Sequence, residues 1–155
     1  MTRASLPAAL CLAALGLTAC DNNPGGMAAN SKVCIDWKQA KPAQLMVGAE
    51  AAGPVDECVK RWAYSLASSN DAAGVVAEAA AGACSAQLAR WNQTALGQPG
   101  GDAEATSITT GETTSPLAEH NAFTRSRALF YVVQARAGHC AAPPVKDGVP
   151  EGIPG

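Results

Sequence analysis

Aromatic side chains are scarce in this chain, with two Phe, two Tyr and three Trp among 155 residues. A core built from so few large rings is Ala-rich and thin, and thin cores need external help. Histidine is scarcer still: His120 and His139 stand alone on different segments, with no His-Glu-x-x-His and no second imidazole at helical spacing to share a metal. Basic residues do not dominate, at 11 Lys and Arg against 13 Asp and Glu. Without a basic stripe interleaved with aromatics, nucleic acid is excluded as the expected partner. No Cys-x-x-Cys occurs, which argues against a thioredoxin-type redox pair and against haem attachment at His139-Cys140. Neither a Gly-x-Ser-x-Gly elbow nor a phosphate-binding Gly pattern is present, Gly100-Gly101 included. The chain therefore reads as non-enzymatic, with no catalytic residue, no cofactor and no metal expected.

What is present begins at the N-terminus. A basic start, Met1-Thr2-Arg3, precedes an apolar run over about residues 6–17 that is too short for the ~20 residues of a membrane span. Small residues and a cysteine, Leu17-Thr18-Ala19-Cys20, close it. This is the pattern of a secretory signal, and the tetrapeptide resembles the lipobox of bacterial lipoproteins. The resemblance implies that residues 1–19 are a signal peptide removed before Cys20, and that the Cys20 thiol carries a diacylglycerol. A di- or tri-acylated terminus gives stable anchoring where one chain gives only reversible binding. The implied location is the cell envelope, membrane-anchored by lipid and facing the periplasm. Asp21 resembles the inner-membrane retention signal of some enteric lipoproteins, a rule that is not universal, so inner versus outer membrane is left to fractionation.

Residues 20–31, polar and turn-forming, read as a flexible tether spreading on the order of 20 Å. A helical, disulfide-bridged domain is expected over 32–140, opened by Lys32 to Trp37 with Cys34, Ile35 and Trp37 packing on helices. Once Cys11 leaves with the signal and Cys20 is lipidated, Cys34, Cys58, Cys84 and Cys140 remain. No two of these are close enough for a zinc knuckle, and in an oxidising compartment an even set reads as two disulfides with three pairings open.

The fold expected is all-α: a helical hairpin over about 54–68 and 72–96 plus a third helix over about 116–137. Gly53-Pro54 followed by Asp56 and Glu57 is a helix start. Val55, Val59, Trp62 and Leu66 form its apolar stripe, with Glu57, Lys60, Arg61 and Tyr64 opposite. Ser68 to Asp71 supplies caps for a tight turn. Cys58 lies about 12 residues before that turn and Cys84 about 14 after it, so at 1.5 Å per residue the thiols are nearly level. That register pairs Cys58 with Cys84 and leaves Cys34 for Cys140. The span from Cys58 to Cys84 is also similar to small uncharacterised cysteine-bridged proteins of alphaproteobacteria, a resemblance that implies no activity.

Residues 97–114, rich in Gly, Ser and Thr, read as a mobile loop, and the Pro-rich residues 141–155 as a disordered tail. Ser115-Pro116 caps the third helix and Gly138 stops it. Its apolar arc, Ala122, Phe123, Ser126, Leu129, Phe130, Val133 and Ala137, is expected to pack on the hairpin, with His120, Arg127 and Tyr131 facing away. Trp62, Trp91 and Phe130 are expected in the core or lining a pocket. The leading functional reading is a lipid-anchored structural or partner-binding module that contacts an envelope protein. The alternative is a small envelope hydrolase or ligand carrier with a pocket between the hairpin and the third helix.

Overall fold

A computed structural model describes residues 32–40, 52–100, 104–107 and 110–153. The signal at 1–19, Cys20 and the tether lie outside the described residues. The domain is helical, with two small antiparallel β pairs and two disulfides.

Helix α1 spans Ala52–Leu66, and Cys58, Val55, Val59 and Ala63 on it are fully buried. The second helix of the hairpin is not continuous. It divides into α2 (Ala73–Ala83) and α3 (Ser85–Leu96) at Cys84, whose φ of −102° and ψ of 15° leave the helical range. Nothing in the Ala-rich sequence signals the break. It falls where Cys84, fully buried and bonded to Cys58, is held against α1, and it redirects α3 toward the N-terminal half of α4 (Pro116–Ala137).

Helix α4 begins as expected, with the Ser115 hydroxyl accepting from the Ala118 amide at 3.3 Å and Pro116 in the first turn. Its packing face, however, is the reverse of the one expected. Thr124, Ala128, Tyr131, Val132 and Ala135 are buried against α1 and α2, while Leu129, Phe130 and Val133 face solvent. Small Ala128 and Ala135 let the helices approach closely. The two hydroxyls can be buried because both are satisfied: Thr124 Oγ1 donates to the His120 carbonyl at 2.7 Å, and Tyr131 donates to Asp56.

Two segments read as irregular contain paired strands among their described residues. Within 97–114, β1 (Ala105–Thr106) pairs with β2 (Thr113–Thr114) in the register Ala105↔Thr114. In the tail, β3 (Val145–Lys146) pairs with β4 (Val149–Pro150) across Asp147-Gly148, with φ values of 52° and 80°. Two left-handed residues between strands make the tight hairpin turn for which Asp-Gly is favoured. Pro150 is fully buried, so the tail is docked rather than solvated.

That docking explains a further correction on α1. Arg61 and Tyr64, expected on the open side, are buried because residues 32–40 and the tail cover them. The Trp37 ring meets Tyr64 edge-on at 5.1 Å, the Arg61 guanidinium lies 5.1 Å from the Trp37 ring centre, and Arg61 Nη1 donates to the Glu151 carbonyl.

Cys34 and Cys140 are joined, tying residues 32–40 to the end of α4. Gly138 stands against this bridge. A Cβ there would lie 2.7 Å from Cys140 Sγ and 3.0 Å from Cys34 Sγ, so the residue that ends α4 is glycine for space.

Candidate functional site

The charged groups of α1 and α4 meet in one network. Arg127 Nε donates to Asp56 Oδ1 at 2.5 Å, Tyr131 donates to Asp56 Oδ2 at 2.9 Å, and Arg127 Nη2 donates to the Tyr131 oxygen. Lys60 reaches Glu57 at 2.5 Å, and Arg61 Nε reaches the same carboxylate at 2.8 Å. Burial, reinforced by the Asp56 charge, pushes the Tyr131 phenol well above its ordinary range. The hydrogen bond to Asp56 likewise raises Arg127. Both shifts favour the protonated forms, and the network joins α1 to α4. Sequence periodicity had placed Arg127 and Tyr131 away from the hairpin; only Asp56, on another helix, draws them in.

A second cluster forms where α3 meets α4. The Trp91 and His120 rings stack 3.6 Å apart at 15°, and Phe123 meets Trp91 edge-on at 5.5 Å. His120 Nδ1 is within hydrogen-bond distance of Asn92 Oδ1, at 2.8 Å. Its partner is thus an amide and not the carboxylate of a catalytic dyad. Burial lowers the His120 pKa. A lowered folded-state value means that the unfolded chain takes up the proton first. The stability His120 contributes is therefore present above about pH 6.5 and lost as pH falls through its folded value. Thermal melts between pH 7 and 5 are expected to show a drop of a few degrees that His120→Gln flattens.

The outer face of α4 is the most exposed apolar surface near these clusters. Phe130 and Val133 are each 52% exposed and Leu129 43%, where a globular helix normally turns charge to water. The pair Arg125–Glu78 and the hydrogen bond from Arg136 to the Asp71 carbonyl join α2 to α4, and Val75 on α2 is separately exposed, at 61%. Toward the N-terminal end, the face runs into an open cleft of about 570 Å³ beneath the β1–β2 hairpin. Ala118, Ala122, Phe123 and Ser126 line the cleft on the α4 side, and its charged lining residues, Glu112 and Glu119, are both acidic.

No family model, curated protein or solved structure matches the chain. The site therefore rests on its own geometry.

That geometry separates the residues singled out from the sequence. Cys34 and Cys140, and Cys58 and Cys84, are bonded as paired above. Trp62 is partly buried against the core, Trp91 is partly buried in the His120 stack, and Phe130 is on the surface. These three rings line none of the clefts of about 720, 570 and 220 Å³. The largest of these three clefts, beside Cys140, contains Arg136, whose guanidinium donates to the carbonyls of Ala67, Ser69 and Asp71 at 2.8 to 3.0 Å. Among the described residues, no three His, Cys, Asp or Glu side chains gather as a metal site, and no helix is long and apolar enough to cross a membrane.

Proposed function

We propose that the chain is a lipid-anchored protein of the bacterial cell envelope that works without catalysis, docking a protein partner on the outer face of α4. The observation that carries this reading is the apolar surface of Leu129, Phe130 and Val133, displayed on a scaffold fixed by two disulfides. Exposed apolar side chains gathered on one rigid element and rimmed by charge mark an interaction surface. The anchor is supported by Leu17-Thr18-Ala19-Cys20, and the two bridges suit an oxidising compartment. Anchoring confines the domain to the membrane surface, where a partner in the same membrane is met at raised effective concentration.

Two measurements test the two halves. Cys20→Ser is expected to move the protein from the membrane fraction to the soluble periplasmic fraction; retention in the membrane overturns the lipid anchor. A photo-crosslinking residue at Leu129 of the full chain in cells is expected to give a discrete protein adduct, absent when the probe replaces exposed Glu78 at the edge of the face. Identical behaviour at both positions overturns the docking surface.

A further inference from the structure

We infer that the two disulfides differ in role: Cys34–Cys140 is a redox latch, opened from the cleft beside it by a protein dithiol that leaves Cys58–Cys84 intact. The bridges differ in access. Cys58 and Cys84 are fully buried between α1 and the α2–α3 junction, so a reductant reaches them only when the helices separate. Cys34 and Cys140 are both partly exposed. Gly138 closes the helix side of this bridge, since a Cβ there would meet both sulfurs, and Cys140 lines the open cleft of about 720 Å³ on another side. That volume admits a loop carrying a thiol. No carboxylate is among the described lining residues of the cleft, so an incoming thiolate meets no like charge there. Accessible disulfides exchange readily, whereas shielded ones in exported domains persist.

In the exchange, a thiolate of the partner attacks Cys140 Sγ, the S–S bond breaks, and Cys34 leaves as a thiolate that takes a proton from water. The partner's second thiol, after losing its proton to water, attacks the partner sulfur of the mixed disulfide and frees Cys140, which is protonated in turn. The partner loses two electrons and two protons, and the bridge gains both. Opening matters for the fold because residues 32–40 form neither helix nor strand. Without the bridge, their hold on the helices includes Gln134 Nε2 donating to the Val33 carbonyl and Trp37 Nε1 donating to the Ala141 carbonyl, both at 2.9 Å, and the Trp37 ring against Tyr64 and Arg61. Water competes for such hydrogen bonds at the surface. Reduction therefore frees residues 32–40 and uncovers Arg61 and Tyr64, while α1, α2 and α4 stay packed around Cys58–Cys84. The α4 outer face plays no part in this step.

The test uses the purified full chain in detergent, with dithiothreitol as the dithiol, quenched by alkylation at intervals and mapped by peptide mass. Cys34 and Cys140 are expected to be alkylated at least about 10-fold faster than Cys58 and Cys84. Equal rates overturn the inference, because only global unfolding then exposes either bridge. Once Cys34–Cys140 is reduced, tryptic cleavage after Lys38 is expected to rise at least about 10-fold; unchanged cleavage overturns the latch. Ala142→Trp, which puts bulk at an exposed position of the cleft, is expected to slow this reduction about 5-fold in the folded chain and not in denaturant. No slowing overturns the cleft as the route. In cells, Cys34→Ser leaves Cys140 as a single thiol and is expected to give a protein adduct that reduction removes. A low-mass thiol on Cys140, or no adduct, overturns the protein dithiol.

Discussion

Replacing Cys58 and Cys84 together by alanine is expected to lower the stability of the domain by about 4 to 5 kcal/mol, the larger part from the unfolded chain. The bridge closes a loop with a sequence separation of 26, for which chain entropy alone gives about 3.5 kcal/mol. Both sulfurs are fully buried between α1 and the α2–α3 junction, so their loss also leaves small voids in a core of Val and Ala that has little else to fill them. A domain of this size stands about 5 to 15 kcal/mol above its unfolded state. The melting temperature is therefore expected to fall by about 15 to 30 °C, measured by circular dichroism. The break at Cys84 gives a second readout. If the bridge holds α3 at its angle, the double variant also loses the Trp91–His120 stack, seen as a change in tryptophan fluorescence in the folded state. A loss under about 1 kcal/mol means that Ala packing and not the bridge carries the hairpin.

The pairing of these cysteines was legible because helical rise is a ruler: two offsets from one turn decide which thiols are level. The ends of α4 were legible for a similar reason, since Ser115, Pro116 and Gly138 act within one turn of themselves. The buried face of α4 was not. That helix carries apolar residues around most of its circumference, and the choice between faces was made by contacts that no local pattern contains. Tyr131 enters the core because Asp56 of α1 accepts its hydrogen bond, and Thr124 because its own helix does. Leu129, Phe130 and Val133 were therefore identified from sequence and assigned inward, although they point out. The tail was a different miss. Asp147-Gly148 between Lys146 and Val149 is a strong turn signal, but four prolines in the last fifteen residues outweighed it.

Arg61→Ala is expected to cost about 3 kcal/mol and to release the C-terminal tail, because this side chain joins α1 to Trp37 and to the tail, while Cys34–Cys140 keeps residues 32–40 in place. Arg61 is only 4% exposed and is held by Glu57 of α1, the face of Trp37 and the carbonyl of Glu151. Gly152 closes over it, with φ of +81° and a position where a Cβ would lie 2.7 Å from the Arg61 Cζ. Gly152→Ala is accordingly expected to expel the tail, with a left-handed backbone and a steric clash costing about 2 kcal/mol together. Limited proteolysis reads that release as new cleavage within 141–153 in both variants. Packing and hydrogen bonding can then be told apart at Arg61 itself. Arg61→Met keeps most of the volume against Trp37 and removes the Nη2 atom, which is buried and finds no partner among the described residues; Glu57 keeps Lys60 at 2.5 Å. Replacing a buried charge by an apolar side chain of similar volume is often neutral, whereas truncating it is not. The methionine variant is therefore expected to stay within about 1 kcal/mol of the wild type and to keep the tail protected. If it loses as much as alanine, the hydrogen bond to Glu151 outweighs the packing on Trp37, and the tail is held by a single polar contact.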